Sequence, residues 1–584
     1  MESNHLELLA WMKPYRPLFF ENLSGITGIS QQRILACDYS RGLLTEIDLE
    51  TQTEGFGLEY DVDDYAKVNG ICYSEGNLYS IDQNNIYRAV YSQFTGDLKG
   101  HFNPHLKPEL FLNIPNCSDL VGIAVTPDTI YLATENQSIL ACDRPTKTVE
   151  TLVKSPGVGI DDLCYFQGNL FIADAKEQTI YVLNLNTQQI IHEILTPFEN
   201  PTGITVVQDG DGVGKLYVAY SRPSFEIYDT GDSEFKLNIR TPVADNFIYP
   251  LIFKHNPEKE AVLSNPFLIE MYYVEKLHAL PEICDRHATV ENLEWKISLP
   301  MNTPRQQLIA VEPIGSFEMK IETIPTEENR PVAVFSIPEI DLKTERRLLG
   351  WKATIKTASI RYLTSINPLP EISESELQAH ARYLENAPGL DMDHPTVIRA
   401  AREAVASLSA AENNHPLVKV KAIRDYIYQA LTYEMDAKHQ GTAEVLRQGR
   451  GSCGEYLNVF LSLLRLNQIP ARECGNYKVP AYKLQPGARS MLLSPDFNHV
   501  WLQFYLPGLG WMPLESSADD ESAVFRDWTQ RYFMALAWYH IECRLGSYFE
   551  EVFEAGTDIP CALSAGDLGI NDIKFRVLGE TDLG

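Results

Sequence analysis

The chain has ten cysteines but no CxxC pair among its 584 residues. That absence removes the short-spaced zinc and dithiol motifs. In so long a chain, scattered cysteines read as reduced thiols rather than as a disulfide scaffold. Positive charge is also scarce: 49 Lys and Arg stand against 79 Asp and Glu, a formal net charge of -30. No basic run offsets it, so phosphate backbones and anionic membranes would be repelled, and neither nucleic acid nor membrane is expected as a partner. Long apolar runs are missing as well. No stretch approaches the roughly eighteen uninterrupted apolar residues of a spanning helix, and MESNHLELLAWMKPYRPLFF lacks a basic start, an apolar core and a small-residue cleavage site. The expectation is a soluble, cytoplasmic chain.

What is present is ordinary folded protein, 44% apolar and 22% charged, in a chain too long for one core, so three or four domains are expected. The first half repeats. A Gly-Ile turn, a hairpin and a further apolar strand recur in TGISQQRILACDYSRGLLTEID, NGICYSEGNLYSIDQNNIYRA, VGIAVTPDTIYLATENQSILACD, DDLCYFQGNLFIADAKEQTIYVLN and TGITVVQDGDGVGKLYVAYSRPSFEIYD. Anchored at Ile29, Ile71, Ile123, Leu163 and Ile204, the copies are 40 to 52 residues apart, the length of a propeller blade. They resemble six-bladed propellers of the NHL and YVTN kind. Five copies are clear, and a sixth would come from about 245 to 285, closed by an N-terminal strand. DGDGVG (209–214) hints at a calcium loop, but Val213 and Tyr220 stand where carboxylates belong, so it reads as a hairpin turn.

Longer alternating strands follow, from EWKISLP to WKATIKTASIRYLTSI, and predict a small antiparallel β domain of sandwich type. The proline-rich acidic stretch NPLPEISESE reads as a linker, after which helical periods set in. The boundaries expected are a propeller over 1–285, the β domain over 288–366, linker and helices over 367–412, a catalytic domain over 413–545 and a C-terminal extension over 546–584.

Chemistry concentrates in GSCGE (451–455). Ser452 and Glu455 have the spacing of a capping box, which puts Cys453 first in an apolar helix. Unpaired N–H groups and the helix dipole there favour a thiolate, and could hold the oxyanion of a tetrahedral intermediate. Gly451 and Gly454 would leave room for substrate. A thiol nucleophile needs a base and a group to orient it. In NHVWLQFYLPGLGWMPLE, His499 and Trp501 share a strand face, and Glu515 joins them only if the turn has an odd number of residues, such as 507–509, or a bulge. Asp519, Asp520 and Glu521 read as a solvated acidic loop.

GRGSCGEYLNVFLSLLRLNQIPARECGNY and NHVWLQFYLPGLGWMPLES together resemble the transglutaminase-like superfamily of papain-like thiol enzymes, over about 380 to 545. The pattern is met by Cys453, Arg465, Ile469, Pro470, Ala471, Arg472, His499, Trp501, Trp511 and Glu515. The resemblance implies an α+β papain-like domain, with the preceding β domain matching the family's N-terminal region. It implies Cys453 as nucleophile, His499 as base and acid, and Glu515 as the orienting group. Glu515 departs from the family's usual Asp-Pro, and Ser452 from the aspartate of many bacterial members, the branch this chain looks most like. His540 is a rival base, set aside because the resemblance makes its segment a later strand. The implied activity is cleavage or transfer of a peptide or protein carboxamide, needing no cofactor and no metal, with the propeller recruiting substrate or a protein partner. Three alternatives stay open: protein cross-linking, a catalytically silent binding scaffold, and a zinc site on the same side chains.

Overall fold

A computed structural model describes residues 14–583 except 19, 40–41, 60–67, 93–97, 100–101, 104–105, 209–212, 223–244, 288, 326–328, 366–368, 436–439, 485–490, 496–497, 521–527 and 546–548. Most of DGDGVG and Glu521 lie outside the described residues; the strands flanking the former pair Gln208 with Gly214, as a hairpin does.

The repeats fold into separate antiparallel sheets whose hairpins turn on left-handed residues, such as Glu75 and Gly76 at φ 49° and 76°. Their inner strands are Leu23–Gly28, Gly70–Ser74, Leu120–Val125, Ile160–Phe166 and Pro201–Gln208. Each inner strand packs beside the next, and the last packs beside the first, so among the described residues the ring closes on five sheets. This corrects the expectation of six blades. Asp245–Leu251 is the third strand of the fifth sheet, and Ala261–Leu277 belongs to another domain. The N-terminal closure is present: Tyr15 exchanges backbone hydrogen bonds with Ile248 at 3.0 and 2.8 Å.

The centre of the ring explains the glycines. A Cβ at Gly122 would lie 2.7 Å from the Asp162 Cα, and one at Gly203 would lie 3.0 Å from the Gly25 Cα. In the first sheet it is therefore Gly25-Ile26, not Gly28-Ile29, that corresponds to the other copies. The fourth sheet carries Asp162 instead, whose side chain accepts from the backbone of Leu163 at 2.9 Å and of Ile204 at 3.0 Å, tying two inner strands together.

The β domain is built of two sheets and is larger than its expected 288–366. In one, Ala261–Leu277 lies between Leu348–Tyr362 and the C-terminal strand Gly569–Glu580. In the other, Thr289–Ser298 lies between Arg330–Asp341 and Glu550–Glu554. Both sheets thus recruit the segment expected to be an extension, and the first takes a strand assigned to the propeller. Trp295, Trp351, Tyr273 and Phe335 fill this core.

The third unit has a four-stranded sheet in the order Gly510–Leu514, His499–Leu506, Ala471–Lys478, His540–Leu545. The Cys453–Leu466 helix packs across it, surrounded by Pro395–Glu403, Pro416–Ala430 and Thr442–Gln448. No described helix is long and apolar enough to cross a membrane.

The fourth propeller sheet is locked to this unit by buried polar contacts. Arg361, from the β domain, pairs with Glu193 at 2.9 Å and donates to the Arg531 carbonyl at 2.9 Å. Glu177 accepts from the Gln530 N–H at 2.7 Å, and the Trp538 indole donates to the Pro197 carbonyl at 2.9 Å.

Candidate active site

The turn before Cys453 is held from both sides. Gly449 ends the preceding helix at φ 69°, and Arg450–Gly451 then runs parallel to Thr432–Tyr433, with the Glu434 N–H donating to the Gly451 carbonyl at 2.9 Å. Ser452 caps the helix: its N–H donates to Glu455 Oε2 at 2.9 Å and its hydroxyl donates to the same oxygen. The two glycines differ. Gly451 is closed in, since a Cβ there would meet the Glu455 Cβ at 2.6 Å, whereas one at Gly454 would meet nothing within 4 Å. Open space beside Cys453 therefore lies at Gly454 rather than at Gly451. The helix behind the cysteine is buried nearly all round, and Arg465 clamps its far end by donating to the carbonyls of Glu385 at 2.6 Å and Ala471 at 2.9 Å.

The hairpin that carries the other two residues turns through 507–509, with Leu506 opposite Gly510 and Leu502 opposite Leu514. Gly508 and Gly510 supply the left-handed residues at φ 77° and 92°. Three loop residues put Glu515 on the face of His499 and Trp501, and His499 Nε2 hydrogen-bonds Glu515 Oε1. The other oxygen, Oε2, accepts from the N–H groups of Ser517 and Ala518, each at 2.9 Å. Glu515 has no exposed surface and His499 has 4%. Cys453, half-buried, lies beside this pair: the N–H groups of Val500 and Gly454 donate towards its sulfur, and the Glu515 charge acts on it.

Burial works to raise the Glu515 carboxyl, but His499, Lys478 and His540 outweigh it and hold it far below the usual carboxylate range. The Lys478 ammonium is 3.9 Å from Glu515. For Cys453, burial first and then the Glu515 charge push the thiol up, against the two N–H donors that lower it. Desolvation thus works against the helix terminus, which by itself favours a thiolate.

His540, the rival base, is buried and begins a strand, as expected. Burial, with Lys478 beside it, drives its pKa well below the ordinary imidazole value. Trp501 is fully buried between the rings of His499 and His540, at 6.2 and 5.1 Å between centroids. It is a core residue. Arg472 donates to Gln503 Oε1 at 2.8 Å and lies over the Trp511 ring, away from the reacting groups.

Two residues were missed from the sequence. Asp519 was assigned to a solvated loop but has no exposed surface; it lies 3.5 Å from Arg424 and accepts from the Tyr532 N–H at 3.1 Å, fixing the turn that follows Glu515. Lys478 carried no local signal at all. Among the described residues, no three His, Cys, Asp or Glu side chains converge as metal ligands.

Residues 403–516 match the model of the family described as the transglutaminase-like superfamily. No curated protein matches the chain. Similar solved structures include a candidate cysteine protease from Cytophaga hutchinsonii, at 14% identity over 54% of this chain and 100% of that one, with a TM-score of 0.35. A streptogramin B lyase is similar at 17% identity over 36% and 67%, TM-score 0.24. The Myxococcus xanthus glutaminyl cyclase is similar at 12% identity over 36% and 90%, TM-score 0.27. The segment 403–516, which carries Cys453, His499 and Glu515, is a domain of the transglutaminase-like superfamily.

Proposed function

We propose that the chain is a cysteine-dependent enzyme acting on a peptide or protein carboxamide, with Cys453 as nucleophile, His499 as general base and acid, and Glu515 as the residue that orients the imidazole. The observation that carries this is the buried His499–Glu515 contact beside a cysteine at a helix start. His499 takes the thiol proton as the sulfur attacks the carbonyl carbon, and Glu515 stabilises the imidazolium so formed. N–H groups at the helix start receive the oxyanion. The amine leaves with the proton from His499, and the thioester on Cys453 is then resolved. The preferred reading is resolution by water, which makes the protein a cysteine peptidase or amidase, with the propeller helping to present the substrate.

The test is mass spectrometry of the protein incubated with a peptide carboxamide, with and without a primary amine. The expected result is a thioester on Cys453 and release of free carboxylate. Amine incorporation faster than hydrolysis would make the protein a cross-linking acyltransferase. Absence of any adduct, with Cys453→Ala fully functional in cells, would leave only a binding scaffold.

A further inference from the structure

A cleft of about 160 Å³ opens directly beside His499, and its walls come from two domains. The catalytic domain contributes Lys478 to Tyr482 and the rings of Tyr532 and Tyr539; the propeller contributes Pro197, Phe198 and Glu199. This is smaller than the roughly 300–1,000 Å³ of a whole-ligand cavity, and suits one side chain.

The propeller wall is fixed in place. Besides the Trp538 bond to the Pro197 carbonyl, the Phe198 carbonyl accepts from the Thr196 hydroxyl at 2.8 Å, and the hydroxyls of Tyr532 and Tyr539 both reach Gln178 Oε1 at 3.4 Å. The charges in the cleft are balanced. Arg531 pairs with Glu199 at 3.2 Å, and Lys478 lies 3.9 Å from Glu515 and faces the Tyr532 ring. With both cations matched and the rest of the lining aromatic, prolyl or aliphatic, the cleft offers no net charge to an acidic or basic side chain. Burial in it favours an uncharged, bulky one.

We infer that this interdomain cleft is a specificity pocket for an aromatic or large aliphatic side chain flanking the reacting carboxamide, and that the propeller loop 197–199 supplies half of it. The inference rests on the thiol-enzyme reading and gives it a substrate class. It also gives the propeller a direct part in substrate choice.

The full-length protein is acylated with N-acetyl-X-Gly 4-nitrophenyl esters, X being Phe, Leu, Ala or Glu, and nitrophenolate release is followed together with the adduct on Cys453. In a second arm, the acyl-enzyme is partitioned between water and the amides of the same four amino acids, which probes the leaving-group side. Plain 4-nitrophenyl acetate, which has no side chain, reads the Cys453–His499 chemistry separately. A preference for Phe or Leu over Ala and Glu of about tenfold or more in one arm is expected, the discrimination an apolar pocket supplies. Ala481→Trp, which fills the cleft, should bring the ratio towards one. Tyr482→Ala, which removes an exposed wall, should lower it and serves if the filled variant folds poorly. Acylation by the acetate with ratios near one in both arms would overturn the pocket alone. Failure of the acetate as well, in wild type as in His499→Ala, would overturn the thiol-enzyme reading and the pocket with it.

Discussion

Glu515 divides its two oxygens between different tasks: Oε1 holds His499 Nε2, and Oε2 accepts the N–H groups of Ser517 and Ala518 at 2.9 Å. The carboxylate therefore contacts the imidazole while it is anchored to its own following turn. Glu515→Gln keeps the shape but removes the charge that stabilises the imidazolium. Acylation of Cys453 by an active ester should fall by about 10²-fold or more, as in other enzymes whose orienting carboxylate is neutralised. Glu515→Asp, too short to serve both contacts, should fall comparably, as measured by stopped-flow release of nitrophenolate.

The thiol should titrate high. Burial and Glu515 both favour the protonated form of Cys453, so its alkylation by iodoacetamide is expected to be slow at pH 6 and to rise with a midpoint above the ordinary value of about 8.5. Glu515→Gln removes one of the raising influences and should shift that midpoint down, even as it slows catalysis. A wild-type midpoint near pH 6, read by peptide mass spectrometry, would instead mean a standing thiolate–imidazolium pair.

Gly475 is where backbone and site packing meet. Its φ is 111°, and a Cβ there would lie 2.6 Å from the Trp501 ring, which packs between the two histidines. Gly475→Ala should cost about 1–3 kcal/mol from overpacking, with backbone strain added. Urea unfolding gives the stability. A loss of esterase activity in protein that is still folded would show that Trp501 sets the position of His499.

The contact between the propeller and the rest of the chain should depend on Arg361. Its pairing with Glu193 is at 2.9 Å with both side chains 2% exposed or less. Breaking one side of such a pair costs about 3–5 kcal/mol, because the remaining charge is stranded. Glu193→Leu should show this in urea unfolding, and adding Arg361→Met should recover part of it. A double variant no better than the single would place the energy in Arg361's contacts with the carbonyls of Gln530 and Arg531 instead.

The features that were legible in the sequence are local ones. Ser452 and Glu455 are three residues apart, and their capping box forms. The hairpin turn was narrowed to 507–509 by parity, and the strands pair in that register. What escaped was set by distant partners. Ala261–Leu277 has the alternation of a blade strand, and only its pairing with Gly569–Glu580, nearly three hundred positions on, assigns it to the β domain. The choice between the two Gly-Ile pairs of SGITGIS depends on what approaches Gly25 from the fifth sheet. Asp519 looked solvated because its partner, Arg424, lies on a helix that precedes Cys453 in the chain. The thiolate expectation weighed the helix terminus without the burial and the carboxylate that oppose it.

The central claim is that His499 serves Cys453 as its base. The direct measurement is the rate at pH 7 of Cys453 acylation by 4-nitrophenyl acetate, in wild type and in His499→Ala, with Cys453→Ala as the blank. The account expects a burst and a single acetyl adduct on Cys453 in wild type, and a rate about 10²–10⁴-fold lower without the imidazole. Equal rates in the two proteins would contradict it, leaving Cys453 a half-buried thiol at a helix start with no base to act on it.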